Sequence, residues 1–189
     1  MIEVVDWDPA WAERFERLRD EYAAAMAAAD VPVRAIEHVG STSVPGLAAK
    51  PVIDCDIIVA AEHVGAASAV LVGLGFEPRG ELGIPQRWAF HAPERLAGTN
   101  TYVIVDGSLS LRNHLAVREV LRADPALRDE YAAVKKRVGA RAADIYEYGA
   151  GKDATVQRIL EAAGISADER ASIGANQVPT TTVGARLRS

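Results

Sequence analysis

The chain has 189 residues, 49% of them apolar, a formal net charge of −5 and a single cysteine. That length fits one domain with a genuine core; one cysteine, Cys55, excludes an internal disulfide and any multi-cysteine metal site. The acidic balance argues against general affinity for long nucleic acid, which needs a basic surface.

No apolar run approaches the roughly 18 residues of a membrane span. The opening Ile2-Glu3-Val4-Val5-Asp6 has neither the basic nor the apolar part of a signal peptide, so a cytoplasmic protein without membrane contact is expected. Residues 2–5 suggest a short strand. Asp8 followed by Pro9 is a cap with proline at the first helical position, and Trp11, Phe15, Leu18, Tyr22 and Met26 then recur every three or four residues, predicting a helix to about Ala28 with one buried stripe. Residues 33–39 and 52–59 are β-branched and apolar and read as strands on either side of a small-residue turn. A helix from Glu62 to Leu74 ends at Gly75. Gly80, Gly83 and Pro85 break the chain before strands at Arg87–His91 and Tyr102–Val105. Ser108 caps a helix to about Arg122, Asp124-Pro125 starts another to about Ala140, and a third is expected from Ala143 to Ala163, weakened by Gly149 and Gly151. Residues 165–189 show no amphipathic period and are expected to be a disordered or loosely attached tail.

The chemistry concentrates in His38–Ile58, HVGSTSVPGLAAKPVIDCDII. Asp54 and Asp56 alternate along a strand, so both point to one face with Cα atoms roughly 6.5 to 7 Å apart. Two like charges in an apolar strand need a compensating cation. Mg2+ suits them, with Mn2+ as the alternative, since it takes carboxylate oxygens and brings substrate phosphates along. Cys55 between them should face the opposite side, in the core. Upstream, Gly40, Ser41, Thr42 and Ser43 form a turn at a strand end where N–H groups and hydroxyls can wrap a phosphate tail. It is neither a P-loop, since five residues separate Gly40 from Gly46 and Leu47 follows, nor a nucleophile elbow. Phosphatases of the haloacid-dehalogenase type share Asp-x-Asp but want a later Gly-Asp pair that is missing here; metal-dependent glycosyltransferases stay open but do not call for the Gly-Ser. His38, His63, His91 and His114 lack the spacing of a zinc site; His38 is either packed or orients a site group, and the others read as structural.

Val39-Gly40-Ser41 followed by Asp54-Cys55-Asp56-Ile57 resembles the signature of polymerase-beta-type nucleotidyltransferases. More narrowly, His38–Ile57 is similar, nearly residue for residue, to the core motif of the GrpB family, and a weaker likeness runs from about residue 2 to 162. The resemblance implies an α+β fold, a nucleotidyltransferase-like mixed β-sheet packed by helices with a C-terminal helical region: a core over 1–107, helices over 108–164 on the same domain, then the tail. It implies that Asp54 and Asp56 are catalytic and hold the metal, and that Gly40, Ser41, Thr42, Ser43 and Lys50 bind nucleotide. Arg87, in the Gly-Ile-Pro-x-Arg-like segment, would enter near the site. Arg118 lies in a segment similar to one that usually bears Arg-Asp, and the resemblance implies that both arginines bind nucleotide. Tyr131/Lys135 and Tyr148/Lys152 resemble two Tyr-x-x-x-Lys pairs whose i, i+4 spacing could stack a base and hold phosphate. The implied activity transfers a nucleotidyl group from a nucleoside triphosphate to a hydroxyl or amine of a small metabolite or protein. The third carboxylate that many such enzymes add from a neighbouring strand is replaced by Asn100, Thr101 and Tyr102, with Asp106 at the strand's end. That departure motivates the other reading, a noncatalytic nucleotide-binding or regulatory module; GrpB-like domains joined to a coenzyme A biosynthetic kinase also imply that the domain can be accessory.

Overall fold

The computed structural model describes residues 2–176; the expected tail from 177 onward lies outside them. Helix α1 (Ala10–Ala28) buries Trp11, Phe15, Leu18, Tyr22 and Met26 as its periodicity requires, and the Asp8 carboxylate accepts from the Ala10 N–H at 2.9 Å. Five strands follow: β1 (Ala35–Val39), β2 (Ile53–Val59), β3 (Glu77–Gly80), β4 (Arg87–His91) and β5 (Thr99–Val105). They form one sheet in the order β1-β2-β5-β4-β3, parallel between β2 and β5 and antiparallel elsewhere. Helix α2 (Val64–Gly73) connects β2 to β3 and closes at Gly75, whose φ is +93°.

Alternation along the strands separates the two faces. Ile53, Cys55, Ile57 and Val59 with Val103 and Val105 turn toward α1 and α2 and make the main core with Phe76 and Phe90. Burying such side chains contributes roughly 1.5–3 kcal/mol each. The opposite face carries Asp54, Asp56, Asn100 and Tyr102, and at one end Ile58 and Ile104 are covered by Leu111. Leu111 belongs to α3 (Leu109–Ala123), which packs on this face and is capped by Ser108; α4 (Pro125–Gly139) is capped by Asp124, as its cap-then-proline start predicts.

Four expectations are corrected. Residues 2–5 make a single bridge, Val5 with Ala49, because only one residue finds a partner edge. Strand β3 was not anticipated, since Glu77-Pro78-Arg79-Gly80 is wholly exposed and lacks apolar alternation. The long helix over 143–163 is two, α5 (Ile145–Ala150) and α6 (Asp153–Ala162), broken where a Cβ on Gly151 would meet Val138 at 2.6 Å. Residues 167–176 are helical (α7) rather than disordered. The reason is a capping box: the Ser166 hydroxyl accepts from the Glu169 N–H at 3.3 Å while the Glu169 carboxylate accepts from the Ser166 N–H at 3.0 Å, and Glu169 also pairs with Arg112.

Candidate functional site

Strand β2 delivers both aspartates to the face away from the core. In register, Asp54 sits beside Asn100 and Asp56 beside Tyr102 on one side, with Val39 and Glu37 respectively on the other. The Asn100 amide donates to Asp54 Oδ1 at 2.7 Å. Asp54 keeps part of its area open, yet protein surrounds it closely enough that burial holds its carboxyl above the usual range, against the opposing pull of Asn100 and His114. Asp56 is 0% exposed. Its Oδ2 accepts from His114 Nδ1 at 2.7 Å, and its Oδ1 is buried without a partner.

Gly40 explains why the turn is built as it is. Its φ is +69°, and a Cβ there would lie 2.2 Å from Asp54 Oδ2, so only glycine admits the carboxylate against the loop. The expected row of free hydroxyls is not presented. Thr42 donates to the Val52 carbonyl at 3.0 Å and bonds His38 Nε2 at 3.0 Å, while Ser43 donates to the Gly40 carbonyl at 2.6 Å. Since the Thr42 proton goes to Val52, His38 Nε2–H is the donor to Thr42. His38 stacks on Phe15 at 4.7 Å, on the core face, and burial, reinforced by Arg122 and Arg118, pushes its pKa down to about 4. It is the packed histidine of the two alternatives. Among the described residues, the Ser41 hydroxyl and the N–H groups of Ser41 and Thr42 have no hydrogen-bond partner within the fold.

Beside Asp54, segments far apart in the chain bring Lys50 and Lys152 together, and Lys135 lies next to Lys152. The Nζ atoms of Lys152 and Lys50 lie 4.3 and 5.6 Å from the centre of the Tyr148 ring, and that of Lys135 lies 4.6 Å from the Tyr131 ring. Gly151, pressed against Val138 of α4, lets the α5–α6 junction approach closely enough to place Lys152 here. Lys135 is 2% exposed and its Nζ has no hydrogen-bond partner. Burial, then the neighbouring Lys152, lowers its pKa to about 6; burial, then Lys50, lowers that of Lys152 to about 8, with Asp54 opposing. Clustered amines that repel one another and lack acceptors are a receptor for a polyanion. Tyr148 itself is 2% exposed with both cations over its ring, so it positions the lysines and offers no open face for a base.

The two arginines part ways. Arg87 on β4 lies 4.6 Å over the Tyr102 ring, its Nε buried and unpaired. Arg118 is already spent, donating to Glu37 at 2.7 Å, the His38 carbonyl at 2.8 Å and Glu119 at 2.8 Å. A guanidinium held by two carboxylates is not available to a phosphate without breaking them, so its nucleotide-binding role finds no geometric support. Sequence reasoning missed three contributors: His114, Asn100 as an Asp54 partner, and Glu37 in the Asp56 row. Only the strand pairing reveals Glu37, and the spacing of His114 carries no signal.

Among the described residues no group of three or more histidine, cysteine, aspartate or glutamate side chains could hold a metal ion. Two carboxylates, one with a buried unpaired oxygen, nevertheless fit Mg2+, which usually takes one or two from protein and completes its shell with water and phosphate.

The family pattern described as GrpB protein matches residues 1–162. The chain is 32% identical over 162 residues to the UPF0157 protein YqkA of Bacillus subtilis, covering 85% of this chain and 46% of that one, so it spans about half of that relative's length. It is 33% identical over 164 residues to a UPF0157 protein of Deinococcus radiodurans, covering 86% of this chain and 82% of the relative. The crystal structure of conserved protein GrpB from Enterococcus faecalis is similar with a TM-score of 0.73 and 33% identity, over 86% of this chain and 98% of that one. A likeness in fold alone extends to the GLD-2/RNP-8 complex, with a TM-score of 0.53 and 15% identity over 98% of this chain and 74% of that one. No helix among the described residues is long and apolar enough to cross a membrane. With its five-stranded mixed sheet and packed helices the architecture is nucleotidyltransferase-like, and the chain belongs to the GrpB family.

Proposed function

We propose that the protein is a metal-dependent nucleotidyltransferase that moves a nucleotidyl group from a nucleoside triphosphate to a small acceptor, with release of pyrophosphate. The observation that carries this reading is the convergence of Lys50 and Lys152 beside Asp54, with Lys135 next to Lys152 and its amine buried and unpaired. A triphosphate tail relieves the repulsion among those amines and supplies the acceptors they lack. As pyrophosphate departs, the charge growing on it is met by the same lysines, already oriented by Tyr131 and Tyr148. The N–H groups of Ser41 and Thr42 are positioned for phosphate oxygens at the Gly40 turn. Asp54 and Asp56 would hold Mg2+ or Mn2+. When bound, the ion polarises the phosphoryl group under attack and steadies the leaving group. His114 fixes Asp56, and Asn100 fixes Asp54, so neither carboxylate has to reorganise.

The complete burial of Asp56 under His114 favours a second reading, a noncatalytic nucleotide-binding module. One experiment separates them. The protein is incubated with each of the four triphosphates, Mg2+ and a metabolite extract, and nucleotide binding and pyrophosphate release are followed together. Release that Asp54→Asn abolishes supports the enzyme; binding without release supports the module; absence of binding removes both.

A further inference from the structure

A nucleotide that lays its phosphates along the lysines must put its base somewhere, and the tyrosines of that cluster cannot take it. Tyr131 is buried with Lys135 over its ring, and Tyr148 is buried with Lys50 and Lys152 over its own. The His38 ring is stacked on Phe15 toward the core. The His114 ring is pinned to Asp56 through Nδ1 and stands tilted at 58° to Tyr102, so it walls this part of the site rather than flooring it. One planar group beside the acids keeps a free side. The Arg87 guanidinium lies 4.6 Å over the ring of Tyr102, the β5 neighbour of Asp56, which braces one of its faces. Among the described residues Arg87 has no carboxylate partner, and its Nε is buried without an acceptor. The side chain as a whole is only half-buried, so its exposed part lies away from the tyrosine.

The surroundings are open as well. Arg87, Ala89 and His91 alternate onto one face of β4. On that face α3 packs on β1 and β5, whereas His91 and all of β3 are exposed, and Ala89 carries only a methyl group. Lys50 leads into the N-terminal end of β2, while Arg87 pairs with Ile104, which pairs with Ile58 toward the C-terminal end of β2. The lysines and Arg87 therefore flank the acids from different sides.

We infer that the Arg87 guanidinium, backed by Tyr102, is the platform on which the nucleobase stacks, on the β4 side of the acid pair. A guanidinium is planar, delocalised and weakly hydrated, so it stacks on flat rings as well as pairing with oxyanions. Stacking is the mode already in use against Tyr102, and the outer face extends the same pile by one ring. The edge donors stay free for ring nitrogens and carbonyl oxygens of the base. The substrate class is thus a nucleoside triphosphate held by its base as well as its phosphates, in preference to a bare polyphosphate. This rests on the nucleotidyl-transfer reading above.

The test titrates the full chain with Mg2+ by calorimetry, using two kinds of probe: inorganic tripolyphosphate, which has phosphates only, and nonhydrolysable analogues of the four nucleoside triphosphates. Arg87→Ala should weaken the analogue that wild type binds most tightly by about 5-fold to 100-fold, the range for losing one base stack. Tripolyphosphate affinity should stay within about twofold at about 0.15 M salt, because the lysines are a separate set of contacts and the charge removed is screened. Arg87→Lys, which keeps the charge without the plane, should lose most of the same increment. Both probes are measured on one preparation of each variant, so the contrast between them survives partial unfolding, which thermal melting reports. Equal losses on both probes would make Arg87 a phosphate contact; no loss on either, or full analogue affinity in Arg87→Lys, would take it off the base. Each of these overturns the inference and leaves nucleotidyl transfer standing. If the wild-type chain binds no analogue, it is the nucleotidyl-transfer reading that falls, and this inference with it.

Discussion

On the sheet face covered by α1 and α2, the buried polar groups have found partners within the fold: the Tyr22 hydroxyl meets Thr101 at 2.9 Å, and His38 meets Thr42 at 3.0 Å. On the other side of the same sheet, and in the helices over it, Asp56 Oδ1, Arg87 Nε, Asn113 Oδ1 and Lys135 Nζ are buried and unpaired. Each such atom costs about 1–3 kcal/mol in desolvation that nothing in the chain returns. One face spends its residues on stability; the other tolerates a deficit that an anion and a cation could offset. Functional reasoning therefore belongs on the face where the hydrogen-bond inventory does not close.

Substitutions that act on one face and spare the other sharpen this contrast. The largest effect is expected from Asp54→Asn and Asp56→Asn, which should lower pyrophosphate release by about 1000-fold or more, the scale of losing a charge-stabilising group. Their melting temperatures should hold or rise, since a costly buried charge is gone. A steep loss of stability would break the contrast. Ile57→Ala, one residue further along β2 but facing the core, should cost about 2–5 kcal/mol in denaturant unfolding. Nucleotide affinity of its folded fraction should survive. Gly40→Ala combines a left-handed backbone with a Cβ at 2.2 Å from Asp54. A stability loss of about 1–3 kcal/mol is expected, accompanied by weaker metal-dependent nucleotide binding in calorimetry.

The lysine cluster predicts a pH signature. The pKa of Lys135 falls from 10.5 to about 6 on folding, so between those values the unfolded chain holds a proton that the native one lacks. Stability contributed at this site is therefore least at and below about pH 6 and grows as pH rises toward 10.5, a slope that Lys135→Met should remove in melts across that range. Binding a polyanion reverses the preference and draws protons in, so nucleotide affinity should fall as pH rises above about 6, with proton uptake visible as a buffer-dependent binding enthalpy. The smallest effect lies far from both faces. Ser166→Ala should cost about 0.5–2 kcal/mol by uncapping α7, read as lost helicity, with nucleotide affinity unmoved.

The stripe of α1, the caps of α3 and α4, and the alternation that puts Cys55 in the core and the aspartates opposite it were legible because they depend on spacing within one segment. The Ser166–Glu169 box was equally local, but the weak periodicity beyond it hid the helix. Arg118 shows the limit of resemblance: a matching residue type at a matching position can still be neutralised by Glu37, and no spacing predicts that pair. The same holds for Thr42 and Ser43, whose hydroxyls turn back to carbonyls that only the folded turn brings near.

The sequence by itself determined which residues repeat with helical or strand period, where α3 and α4 begin, and that two acids share one side of β2, since backbone geometry converts spacing directly into direction. Tertiary structure alone decided that Lys50, Lys135 and Lys152 meet, that His114 covers Asp56, and that Arg87 stands apart over Tyr102. Those are encounters between different strands and helices, set by strand order and by the close approach that Gly151 permits, and neither is written in any local run of the chain.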